Sequence, residues 1–222
     1  MTKESAEPGV PSLSEAINQD VAQLINHLRC SNAPDEALAE ATRHIHQAMA
    51  ALAPWLQQGE GWSTVSIASE MSELVWREDD ITSVMPFSPV SGKRNAIALP
   101  IKLWKSGSNE VRGEAIFSST YAGPPNAVHG GIIAAVFDEI LAMANLISGS
   151  AGFTGTLTIK YHALTPLNTP VELSGVSVRQ DGRKQISRGE MRVNGKVTAT
   201  AEGLFISAAG GGHPLRQSSG SS

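Results

Sequence analysis

From Gly130 to about Ser148 the chain is apolar on every side, interrupted only by Asp138, Glu139 and Asn145. At 3.6 residues per turn such a stretch has no solvated face, so a helix here must be surrounded by other structure. Its alanines, Ala134, Ala135, Ala142 and Ala144, permit close approach by whatever surrounds it. A carboxylate inside such a helix is costly unless it has a partner or a task. The polar interruptions argue against a membrane span.

The flanking sequence has a period of two. Ile97, Leu99, Ile101 and Leu103 alternate with small or charged residues, which predicts a strand from about Asn95. Ser106-Gly107-Ser108-Asn109 is a turn, and Val111, Gly113, Ala115 and Phe117 belong to the returning strand. Beyond the helix four strands are expected in a meander, over about 153–162, 169–179, 184–193 and 196–207. Asp181-Gly182 and Asn194-Gly195 are hairpin signals, because both central residues of such a turn need positive φ. A six-stranded antiparallel sheet buries a single apolar helix only by curling around it. The expected class is therefore α+β with the hotdog architecture: a curved sheet wrapped around a long central helix.

Two helices precede this unit. Leu13, Ile17, Val21, Leu24, Ile25 and Leu28 fall at helical spacing over residues 12–30. A second helix starts near Pro34 or Asp35 and runs to about Leu56, with Leu38, Ile45, Met49 and Leu52 on one side. Joined by a short turn, they form an antiparallel hairpin or a packing arm. Residues 62–89 read as a linker with partial structure. The organisation is thus a helical extension and linker (1–84), a hotdog domain (85–207) and a flexible tail (208–222) marked by Gly210-Gly211-Gly212 and a Ser-rich end.

Composition narrows the setting. The single cysteine, Cys30, excludes an internal disulfide and suits a reducing compartment. Met1 to Pro11 carries no apolar signal core, so the expected location is the cytoplasm. Residues 1–80 hold 13 acids and 4 bases, and residues 81–222 hold 8 acids and 13 bases, so −9 and +5 underlie the net −4. The positive part suits a small polyanion such as coenzyme A. No dense Lys/Arg stripe with interleaved aromatics is present, which argues against nucleic acid. His44 and His46, two apart on a helix, face different ways, and no metal is expected.

The chemistry concentrates at the entrance to the apolar helix. Gly123-Pro124-Pro125-Asn126-Ala127-Val128-His129-Gly130-Gly131 is a turn-rich loop that delivers a histidine and two glycines to the helix start. Unpaired N–H groups there hold an anion or polarise a carbonyl oxygen, and glycines let a ligand approach the backbone. Asp138 follows nine positions after His129. This loop, the Asp138 spacing and the strand block Thr154-Gly155-Thr156-Leu157-Thr158-Ile159-Lys160-Tyr161 resemble the hotdog acyl-CoA thioesterases of the phenylacetate-pathway and 4-hydroxybenzoyl-CoA type, over roughly residues 85–207.

The resemblance implies hydrolysis of an acyl-CoA to free acid and CoA without a cofactor, CoA entering only as part of the substrate. It implies Asp138 as general base or nucleophile, the Gly130 N–H as oxyanion donor, and Thr154 as the residue that positions water or carboxylate. Asn126, His129 and Gly131 would line the substrate site. Asp138 and its neighbour Glu139 are not separated by periodicity; the resemblance selects Asp138. Gly130 and Asp138 are eight residues apart, about 12 Å along a helix, too far for one thioester. The expected assembly is a homodimer, or a dimer of dimers, in which Gly130 of one subunit faces Asp138 of the other. The competing expectations are a non-enzymatic acyl-CoA sensor or scaffold, and a hotdog hydratase or dehydratase, whose Gly-Asp-x-Asn-Pro-x-His string is missing here.

Overall fold

A computed structural model describes residues 11–56, 79–150 and 152–207. The polar amino terminus, the greater part of the expected linker (57–78) and the expected tail (208–222) lie outside these residues, apart from Pro11.

Six antiparallel strands form one sheet: β1 (Ile101–Lys105), β2 (Glu110–Ile116), β3 (Phe153–Tyr161), β4 (Pro170–Asp181), β5 (Lys184–Val193) and β6 (Lys196–Ile206). Their order across the sheet is β1-β2-β4-β5-β6-β3. The central helix, α3 (Gly130–Ile147), lies on the inner face, and its side chains from Ile133 to Leu146 supply much of the core. It is long and apolar enough to cross a membrane by length and composition, yet half of it is buried inside the fold. This is the expected hotdog arrangement.

The strand limits agree closely with the periodicity, with three differences. The alternation at Ile97 and Leu99 is not strand. Asn95 Oδ1 accepts the Ile97 N–H and the Ala98 N–H bonds back to the Asn95 carbonyl, winding residues 95–98 into a turn. Pro100 then offers no N–H, so β1 begins only at Ile101.

The four-strand meander is also corrected. Only β4, β5 and β6 run as a meander, while β3 pairs with β6 at the sheet edge and β4 pairs with β2. The segment 162–169 carries the chain back across, bonded through His162 and Ala163 N–H to the Thr198 carbonyl and bridged at Pro166 to Ala127.

Finally, Asn194 and Gly195 both take positive φ, as the β5–β6 turn requires, but the β4–β5 turn is Gly182-Arg183. Asp181 pairs with Lys184, and only Gly182 has positive φ, a one-residue shift from the expected Asp181-Gly182 centre.

The helix sits close to the sheet because small residues lie beneath it. Gly175, Gly189 and Ala201 are cross-strand neighbours on β4, β5 and β6. A Cβ at Gly175 would stand 3.0 Å from the Ile140 carbonyl oxygen. One at Gly189 would stand 3.2 Å from Leu141 and Phe137 and 2.9 Å from the Ser174 carbonyl.

The amino-terminal helices are α1 (Leu13–Cys30) and α2 (Asp35–Leu52), the latter extended by a 3-10 turn at Ala53–Trp55. Ser12 and Glu15 form a reciprocal capping box at α1, and Asp35 and Glu36 favour the positive end of α2, with Pro34 at the cap. No residue of either helix is fully buried.

Of the two expected arrangements, α1 is the packing arm: it rests on the 3-10 turn Ser119–Tyr121. Its polar contacts are Asn26, which accepts from Thr120 at 3.0 Å, and Ser14, which accepts from Arg94 at 3.2 Å. Ile17, Val21 and Leu28 stay exposed. Ile81 and Val84, inside the expected linker, belong to the core.

If this close seating of α3 holds the fold together, Gly189→Val should destabilise it by about 1–3 kcal/mol. A lower urea midpoint would show this; an unchanged midpoint would mean that the helix has room to spare there.

Candidate active site

The loop before α3 is closed by its own backbone. Gly123 N–H bonds to the Ala127 carbonyl at 3.0 Å, Ala127 N–H to the Pro124 carbonyl at 3.1 Å, and Ala122 bridges Val128. A Cβ at Gly123 would lie 2.6 Å from the His129 Cα, so the loop admits only glycine there. Asn126, exposed at the tip, takes φ +59°, a left-handed conformation that Asn tolerates, and its carbonyl accepts the Leu167 N–H at 3.1 Å. His129 N–H donates to the Tyr121 carbonyl at 2.9 Å.

His129 is the N-cap of α3, and its ring does the capping: Nδ1 accepts the Gly131 N–H at 2.9 Å. That bond commits one of the two glycine amides proposed for a ligand. Gly130 N–H finds no acceptor among the described residues, so it is the donor left open at the helix start. Gly130 also accepts, through its carbonyl, the Tyr161 hydroxyl at 2.9 Å.

The two neighbouring acids face different ways. Asp138 is half-buried and its Oδ1 accepts the Thr154 hydroxyl at 2.7 Å. Oδ2 has no hydrogen-bond partner among the described residues. Glu139, about 100° further round the helix and 9% exposed, points instead at the loop before β1. Its Oε1 accepts the Ser88 hydroxyl at 2.9 Å and the Ser91 hydroxyl. Burial pushes its pKa above the ordinary carboxylate range; the two serine hydroxyls pull the other way, and Asp138 adds to the rise.

Thr154 reaches Asp138 because of a β-bulge. Thr154 opposes Phe205 on β6, whereas Thr156 opposes Leu204, so Gly155 is the extra residue. The bulge turns Thr154 onto the inner face shared by Leu157, Ile159 and Tyr161, opposite Gly203, Ala201 and Ala199. Strict alternation would have put Thr154 outside with Thr156.

The sequence-derived site therefore divides in two. Asn126, His129, Gly130 and Gly131 gather at the head of α3, and Asp138 with Thr154 lies about two turns along it. Tyr161 and Glu139 were not assigned roles from the sequence. Tyr161 carried no signal of its own, since its odd spacing from Thr154 becomes same-face only across the Gly155 bulge. Glu139 had none beyond standing next to Asp138.

Two cations in turns outside this site have partners of their own: Lys93 pairs with Asp80, and Arg183 Nε donates to the Ser207 carbonyl at 3.0 Å. Among the described residues no three His, Cys, Asp or Glu side chains gather as a metal site would need.

No protein-family model matches the chain, and no curated protein matches it. Solved structures do. The chain is similar to a thioesterase superfamily protein known from a crystal structure, at 28% identity and a TM-score of 0.73, over 90% of this chain and 97% of that one. Residues 85–207 are little more than half of the 222, so this match takes in much of the amino-terminal extension. Zebra fish thioesterase superfamily member 2 matches at 19% identity and a TM-score of 0.51, over 58% of this chain and 94% of that one. The phenylacetic acid degradation protein PaaI of Thermus thermophilus matches at 21% identity and a TM-score of 0.47, over 50% of this chain and 95% of that one. The structural neighbours are thioesterase superfamily proteins, and the chain has their hotdog fold.

The buried carboxyl gives a pH test. Glu139 has a raised pKa in the folded chain, so folding retains a proton that the unfolded chain has released. Its contribution is therefore fully present below the ordinary glutamate value and lost as pH rises through the raised one. The melting temperature of the natural chain, measured against Glu139→Gln, should fall as pH rises above the ordinary glutamate value of about 4.3. A difference that does not change with pH would mean that Glu139 titrates as a solvated acid.

Proposed function

We propose that this chain is an acyl-CoA thioesterase that acts in the cytoplasm as a homodimer, with the chemistry in residues 85–207 and the amino-terminal helices as an extension. One observation carries the reading: an open Gly130 amide and a Thr154-supported Asp138 lie on the same helix. Two turns of helix separate them, so a single chain cannot present both to one carbonyl carbon. A second copy, related by a two-fold axis, supplies what the first lacks.

The edge strand β3 is the surface suited to that copy. It pairs with β6 on one side only, Phe153 is 77% exposed and Tyr161 is 54% exposed. A long uncovered edge is a template for pairing with another chain. Similarity to a thioesterase superfamily protein at 28% identity over nearly the whole chain supports the reaction class.

In the shared site the thioester oxygen would take the Gly130 N–H of one subunit. Charge that develops on that oxygen during attack is then met by a fixed donor at the positive end of α3. Asp138 of the other subunit faces the carbonyl carbon. With Oδ1 held by Thr154, Oδ2 is the oxygen able to take a proton from water or to attack directly. By the first route water adds to the carbonyl carbon, the tetrahedral adduct collapses, and CoA thiolate leaves. By the second an acyl–Asp138 anhydride forms with loss of CoA, and water then cleaves it. No cofactor enters either route.

A panel of acyl-CoAs assayed for free thiol tests the reading. Asp138→Ala should lower turnover of any responsive substrate by about 10²–10⁴-fold with the dimer intact. Gly130→Pro removes the N–H at the first helical position, where proline is at home; its added Cβ would meet the Tyr161 ring at an ordinary 3.5–3.7 Å, and His129 already has the extended backbone that precedes proline (φ −63°, ψ 135°). It should cost about 10²–10³-fold in kcat. Absence of thiol release by the natural chain across the panel, with acyl-CoA still bound, would favour the sensor reading instead.

A further inference from the structure

The peptide unit between Gly130 and Gly131 is held at both ends. Its carbonyl oxygen accepts the Tyr161 hydroxyl at 2.9 Å, and its N–H donates to His129 Nδ1 at 2.9 Å. An imidazole nitrogen that accepts an N–H carries no proton, so neutral His129 holds its proton on Nε2. A hydrogen bond given to an amide oxygen makes the N–H of the same amide a stronger donor. The phenol thus reinforces, through one peptide, the bond that selects the histidine tautomer. Nε2 has no partner among the described residues, and His129 is exposed at the head of α3.

The ring of Tyr161 is placed for this task. A Cβ at Gly130 would meet its Oη, Cζ and Cε1 at 3.5, 3.6 and 3.7 Å, so the ring lies directly over the glycine. The Gly155 bulge puts Thr154 and Tyr161 on the same face of β3. One strand therefore supports the acid near its start and the amide at its end. The hydroxyl of a half-exposed tyrosine usually finds water. Here it bonds to the first residue of α3.

We propose that Tyr161 is a positioning residue: through the Gly130–Gly131 peptide it holds His129 as the Nε2–H tautomer, which gives the thioester oxygen a second donor beside the Gly130 amide. What the donor is used for rests on the thioesterase reading; the clamp and the tautomer do not. In a dimer that covers β3 the phenol bond is shielded from water and counts for more than on an open edge. Because the acid and the amide of one chain serve different sites of the dimer, Thr154 and Tyr161 of one strand act on different substrates.

Tyr161→Phe keeps the ring and removes the hydroxyl. Histidine ¹⁵N spectra of the neutral protein, with His129 assigned by its loss in His129→Gln, should show Nδ1 unprotonated in the natural chain. In Tyr161→Phe they should shift toward a mixture of tautomers. On a responsive acyl-CoA, kcat should fall about tenfold with KM nearly unchanged, as loss of a bond that matters chiefly in the transition state requires. A protonated Nδ1 in the natural chain, or an identical His129 spectrum in the variant, overturns the inference whatever the rate does. A shifted spectrum with unchanged kcat overturns the catalytic half of it. If the natural chain hydrolyses no acyl-CoA, the thioesterase reading falls while the spectra still decide the clamp.

Discussion

Everything in this fold follows from how near α3 can come to the sheet. Glycines 175 and 189 and Ala201 form a shallow row beneath the helix, and even a methyl group at either glycine would press on Ile140, Leu141 or Phe137. The packed row fixes the rotation of α3 about its own axis. With Phe137, Ile140 and Leu141 against the sheet, Asp138 is turned toward β3 and Glu139 toward the loop before β1. A looser contact would leave the helix free to rotate, and neither acid would have a fixed neighbour. Ser88 and Ser91 on Glu139, and Thr154 on Asp138, secure the rotation at two points about 100° apart.

The same seating gives the candidate site its divided form. The head of α3 is held by its own chain: His129 caps it, Tyr121 and Tyr161 bind its flanking peptides, and among the described residues only the Gly130 amide finds no acceptor. Such a donor works because its orientation is set before charge develops. The acid stands two turns away on the same rigid rod, and bending cannot bring them together. In the proposed enzyme a second copy closes the gap, with β3 as the natural seam. The amino-terminal arm adds a brace at a distance, with Ser14 on Arg94 and Asn26 on Thr120, near the loops that flank the two halves.

Much of this was legible in the sequence, for reasons that can be named. A helix apolar all round could only be a core helix, and alternating strands with an Asn194-Gly195 turn could only be hairpins. The failures are equally specific. Ile97 and Leu99 share the strand period, but the Asn95 side chain captures a local N–H, an option that hydrophobic patterning does not register. Strand order was misread because a meander is the default, whereas the return loop 162–169 moves β4 beside β2. Thr154 was selected by resemblance alone; the bulge that turns it inward shows only in the register. The apolar stripe of α1 implied burial that occurs only in part: Leu24 and Ile25 are half-buried, Ile17, Val21 and Leu28 stay exposed, and Ser14 and Asn26 add polar contacts to the domain.

The central claim is that each site draws its amide from one chain and its acid from the other. Subunits carrying Asp138→Ala and subunits carrying Gly130→Pro, each inactive alone, can be unfolded together and refolded as a mixture. A shared site predicts that random pairing restores about a quarter of the natural activity, because half the dimers then contain one site with both groups intact. A mixture as inactive as its components, with mixed dimers demonstrated by mass, would contradict the account.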